Sequence, residues 1–200
     1  MTVSLSEKIR YVSGVSTIYV LTLLFAVIVF KPYFVTKNNA LIAKSYSSAS
    51  LELLAGNTQL VYGQPTRLVI PASNIDVPVN PGYYNSADAS WTLSGYYAQF
   101  ATVSTPANNV AGDTFIYGHN NDFVFGSLRH TTPAAGSEAL VYTNNGHILD
   151  YSFTNSFSLA PDDTSVLNYS GPPVLTIQTC TGSVNEWRTM YRFDYVRTLQ

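Results

Sequence analysis

The chain has 200 residues, of which 46% are apolar and only 11% charged, with a formal net charge of −2. That length holds one ordinary domain plus an appendage, the apolar share is too high for wholesale disorder, and no basic patch exists to neutralise the phosphates of a nucleic acid. The polar surface falls instead to Ser, Thr, Asn and 15 tyrosines, which suits strands with hydroxyl-rich outer faces.

Residues 1–10 are polar and read as a short N-terminal tail. From Tyr11 to Phe30 there is no charged residue, and the stretch from Ile18 onward is nearly all apolar. A run of roughly 20 such residues matches one helical crossing of a bilayer. Lys31-Pro32 ends it, with Tyr33 and Phe34 placed as interfacial aromatics, so residues 11–33 are expected to be a transmembrane anchor. A cleavable signal peptide is the rival reading, but no small-x-small site follows directly. Lysines and arginines flank the segment on both sides and do not settle its orientation.

Residues 34–62, rich in Asn, Ala, Ser and Leu, read as a helical stalk or a loose tether. Gly63-Gln64-Pro65 marks a change, and residues 63–200 carry a β pattern. Extended segments are expected at 67–70, 75–79, 113–117, 139–142, 147–157, 174–179 and 191–196. Pro71 and Pro78 place the first two at edges or strand ends. Asn144-Asn145-Gly146 is a hairpin signal, and single helical turns are expected near Ala98 and at 125–129. Many short strands with turn residues between them indicate an all-β sandwich or barrel.

Cys180 is the only cysteine, which excludes an intramolecular disulfide and a multi-cysteine metal site. It follows the apolar run Leu175-Thr176-Ile177-Gln178-Thr179, with Thr181-Gly182-Ser183 read as a loop. A thiol at such a junction is either a nucleophile held rigidly by its strand or a residue capping the end of the core. A cysteine reacts as its thiolate, and a nearby imidazole or cation helps to form it. His119 also stands where a strand meets a loop, after Ile116-Tyr117-Gly118 and before Asn120-Asn121. His130 and His147 fall in a turn and a hairpin and read as surface residues. Arg188 and Arg192 lie four residues apart and share a face if they lie on one strand. Arg188 is nearer the cysteine and is the better candidate to stabilise an oxyanion.

Taken together, these segments resemble the sortase family. Leu175-Thr176-Ile177-Gln178-Thr179-Cys180 is similar to its TLxTC strand, with Ile in place of the usual Leu. Ile116-Tyr117-Gly118-His119 is similar to its Gly-His strand end, and Phe125-Gly126-Ser127-Leu128 to its F-x-x-L segment. Arg188 or Arg192 matches its arginine after the cysteine loop. The resemblance runs from about residue 65 to 196; the usual Gly-Asp is replaced by Gly136-Ser137.

The resemblance implies a closed β-barrel with short helices, preceded by the transmembrane helix, with the catalytic domain outside the cell. It implies a cysteine transpeptidase that cleaves an LPxTG-like sorting signal of exported proteins. Cys180 would be the nucleophile, His119 the acid that protonates the leaving amine, and Arg188 the oxyanion partner. The acceptor would be an amine of the cell wall or a pilin. No cofactor or metal is implied, because acidic clusters able to hold calcium are not evident. A Cys-His cell-wall peptidase or amidase, and a non-catalytic anchored binding domain, are the alternatives. The transferase reading requires Cys180 and His119 to face one groove, expected at the mouth of the barrel.

Overall fold

The computed structural model describes residues 41, 43–181 and 187–200. The expected anchor at 11–33 lies outside these residues, as do the tail at 1–10 and part of the linker. Among the described residues no helix is long and apolar enough to cross a membrane.

Eight strands close into a barrel: β2 (Pro65–Ile70), β3 (Ile75–Gly82), β6 (Ala98–Ala101), β8 (Asp113–Gly118), β9 (Glu138–Thr143), β10 (Ile148–Leu159), β11 (Val174–Thr181) and β12 (Trp187–Thr198). Short pairs lie outside it, formed by β1 (Tyr62–Gly63) with β7 (Ala107–Asn108), and by β4 (Tyr84–Asn85) with β5 (Ser90–Trp91). Around the barrel the order is β10, β12, β11, β8, β6, β3, β2, β9. Two neighbouring pairs are parallel, β3 with β6 and β8 with β11; the others are antiparallel.

The strands follow their side-chain patterns. Glu138–Thr143 alternates between exposed or half-buried and buried residues, as a strand with one wet face should. Val174–Thr181 is buried at its first four positions because both faces are covered there, and opens to half-buried at Gln178, Cys180 and Thr181. Leu175 and Ile177 point into the barrel with Ile116, Phe100, Tyr191 and Phe193. On the outer face Phe115, Tyr117 and Met190 join Val166 and Leu167 of the β10–β11 connection in a second apolar cluster. Packed onto the outside of the barrel, that connection builds one wall of the site over a floor formed by the outer faces of β8 and β11.

The expected strands are all present, and the turn at 125–129 is a 3₁₀ turn at Gly126–Arg129. Three expectations are corrected. The helical turn near Ala98 is instead β6, whose four residues are all buried between β3 and β8. Pro78 lies inside β3, in a closed barrel that has no edge strand. It is tolerated there because pairing with β6 begins only at Val79, so that side of Pro78 carries no ladder. Thr181 closes β11 rather than opening a loop; Gly182 and Ser183 lie outside the described residues.

Residues 43–61 lie against the barrel. The amide of Lys44 donates to the Leu167 carbonyl at 2.8 Å, and the Tyr46 hydroxyl to the Ser170 carbonyl at 3.2 Å. A short helix α1 (Ser48–Ala55) follows, capped by the Ser47 hydroxyl, which accepts from the Ser50 amide.

Candidate active site

The register of three adjacent strands brings the predicted residues together. Cys180 stands directly opposite Arg188 in the β11–β12 ladder. The parallel β8–β11 ladder ends at Thr179 opposite Gly118, so His119 and Cys180 are the next residues on neighbouring strands. All three side chains are half-buried and line one groove of about 250 Å³. Side chains alternate across a strand, so Cys180 shares the outer face of β11 with Gln178, away from the interior positions of Leu175 and Ile177. The groove therefore runs along the outer wall of the barrel rather than at its mouth. A thiol inside the barrel would be sealed in hydrocarbon; on the outer face a polypeptide can reach it.

The floor of the groove is Phe115, Tyr117 and Gln178. One wall is the β10–β11 connection, with Pro161, Asp163, Thr164, Val166 and Leu167. Its backbone is held by a 3₁₀ turn at Ser165–Asn168, and Asp163 accepts the Ser165 amide at 2.9 Å. The hydrogen bonds from Ser165 hold the Asp163 carboxyl below the usual range. The other wall is Ala89, Trp91 and Leu93, from the β4–β5 hairpin and its exit. Trp91 packs edge-on against Tyr117 at 5.2 Å, and the Tyr117 hydroxyl donates to the Thr92 carbonyl at 2.8 Å. Burial pushes the Tyr117 phenol up, so it acts as a neutral donor that ties the hairpin to β8. Trp91 and this hairpin carry no motif, and sequence reasoning missed them.

Arg188 and Arg192 share a face of β12 as expected, but only Arg188 lines the groove. Arg192 stands opposite Thr176, further along the ladder. Its guanidinium lies 4.7 Å from the centre of the Tyr169 ring and 5.7 Å from that of Phe157, and it faces Asp113 at 3.8 Å. Burial raises the Asp113 carboxyl to about 7, against the opposing pull of Thr176 and Arg192. His130 and His147 do not line the groove; His147 Nδ1 is 3.3 Å from the Gln200 carbonyl. Among the described residues no group of three or more His, Cys, Asp or Glu side chains is placed to hold a metal.

A half-buried thiol, an imidazole and a guanidinium lining one groove form a site suited to acyl transfer from a peptide through cysteine. The family model for the sortase domain matches residues 68–195, and the chain belongs to the sortase family. The structure is similar to sortase E1 of Streptomyces coelicolor, solved with a tripeptide in its active site. That match has 18% identity and a TM-score of 0.55, over 68% of this chain and 90% of that one. It is also similar to the SrtA sortase of Actinomyces oris, at 20% identity and a TM-score of 0.54, over 70% and 84% of the two chains. Sortase A of Corynebacterium diphtheriae matches at 17% identity and a TM-score of 0.53, over 86% and 83%. No curated protein sequence matches the chain.

Proposed function

We propose that this chain is a sortase-type cysteine transpeptidase acting on an LPxTG-like sorting signal, with Cys180, His119 and Arg188 as its catalytic residues. The observation that carries this reading is the meeting of the three side chains in one groove open to a polypeptide.

The Cys180 thiolate attacks the carbonyl carbon of a Thr–Gly-type bond, and the Arg188 guanidinium, opposite it in the ladder, stabilises the oxyanion. The carbon–nitrogen bond breaks, and His119 gives its proton to the departing amine, leaving a thioester on Cys180. An amine of the cell wall or of a pilin then attacks that thioester and gives up a proton to His119. The new amide leaves, and the thiolate is restored. Residues 11–33 anchor the enzyme at the cell membrane, a reading their apolar run supports; the groove lies outside the cell, a placement supported by the sortase resemblance, and an exported lone thiol fits a catalytic role.

The test is incubation of the full chain with an LPxTG-type peptide and an added amine. An amine adduct that disappears in Cys180→Ala is expected. Release of the cleaved peptide to water at the same yield whether or not amine is present would point to a hydrolase. Failure of a thiol-reactive probe to label Cys180 would point to a binding domain.

A further inference from the structure

We infer that Asn120 is a positioning residue, clamping the loop that carries His119 onto the strand that carries Cys180; the inference rests on the acyl-transfer reading of the groove. The β8–β11 ladder stops at Gly118 opposite Thr179, one residue short of both reacting groups. Where it stops, the Asn120 side-chain amide donates to the Cys180 carbonyl at 2.9 Å, sixty residues away in the chain. This bond extends the link between the two strands past the end of the backbone ladder, to the residue that holds the nucleophile.

The next residue secures the opposite side. Asn121 donates from its side-chain amide to the Gly95 carbonyl at 2.9 Å, on the segment that continues from the β4–β5 wall. Its side-chain oxygen accepts the amides of Phe123 and Val124, both at 3.1 Å, and its carbonyl accepts that of Gly126 at 2.7 Å. The Phe125 amide returns to the His119 carbonyl at 3.1 Å. The loop is thus a closed turn joined through two adjacent residues, Asn120 to the nucleophile strand and Asn121 to the far wall, with His119 at its root. Gly118 permits the closure: a Cβ there would sit 2.7 Å from Val124 Cγ1 and 3.0 Å from Phe125 Cε2.

One neutral hydrogen bond is too weak to decide the fold, at about 1 kcal/mol net. It can still decide a proton transfer, because misplacing a catalytic group by about 1 Å costs on the order of a hundredfold in rate. Asn120 therefore acts through His119, whereas an amide that merely satisfied a stray carbonyl would not affect catalysis.

The experiment compares the full chain with Asn120→Ala and with Asn120→Asp, which keeps the shape but has no N–H to donate. Turnover of the sorting peptide is expected to fall by about ten- to a hundredfold, with KM changed by less than about twofold. Amide hydrogen exchange is expected to quicken over residues 119–126 and stay unchanged in the barrel strands. On a His119→Ala background, Asn120→Ala should cost less than about a further twofold, because the group it positions is already gone. Unchanged turnover in both variants, or a loss that multiplies fully with that of His119→Ala, would overturn the inference. Should the unaltered chain transfer no peptide at all, the functional reading falls separately. Loop exchange then decides the clamp: faster exchange supports it and unchanged exchange refutes it.

Discussion

Replacing Asp113 by asparagine should make the protein relatively more stable as pH rises. Asp113 opens β8 on the outer face of the barrel, 4% exposed, with the Arg192 guanidinium 3.8 Å away, too far for a hydrogen bond. Burial therefore outweighs the cation, and the carboxyl rises from 3.8 to about 7. A folded state that keeps its proton while the unfolded state loses it is favoured at low pH. This contribution is fully present below about pH 4, is lost as pH rises toward 7, and is constant above that. Each unit of separation is worth about 1.4 kcal/mol, so the full window amounts to at most about 4 kcal/mol. Urea unfolding of wild type and Asp113→Asn at intervals from pH 4 to 8 measures it directly. The exposed carboxylates Asp76, Asp88 and Asp163, all held below the usual range, act in the opposite direction at lower pH and cancel in the comparison. The expected result is a wild-type stability that falls relative to the variant by about 1 kcal/mol per pH unit across the window. A difference independent of pH, or one that grows in favour of wild type as pH rises, would refute the reasoning and show a carboxylate ionised throughout.

The two arginines should separate function from stability. Arg188→Ala is expected to lower turnover by about 10²–10³ in a transpeptidation assay with little change in melting temperature. Arg192→Ala should spare most of the turnover and lower stability in urea by about 1–2 kcal/mol, through loss of its stacking on Tyr169 and Phe157. Gly118→Ala should cost about 1–3 kcal/mol in urea unfolding by forcing Val124 and Phe125 outward, and should reduce turnover because the same movement displaces His119.

Much of the site is legible in the order of residues because its chemistry is carried by types that occur rarely. A chain with one cysteine offers one thiol, and a strand pattern ending in Gly118-His119 marks one histidine out of three. The choice between the arginines is less legible. Four residues along one strand put both on the same face, and only the ladder, with Cys180 opposite Arg188 and Thr176 opposite Arg192, assigns one to the thiol. Ala98–Ala101 misled for a similar reason. Four residues flanked by Tyr96, Tyr97 and small side chains carry no local alternation, and β6 exists because β3 and β8 leave a space that only a strand can pair across.

Local sequence determined most of the barrel strands and the hairpin turn, and singled out Cys180 and His119, because alternation, turn residues and scarce side chains act over a few positions. Tertiary structure alone decided that the groove lies on the outer wall, that Trp91 and Leu167 face each other across it, and that Asn120 reaches the Cys180 carbonyl. Those contacts join residues sixty or more positions apart, and nothing in either segment by itself specifies its partner. Closure of the barrel sets the register, and the register sets which side chains meet.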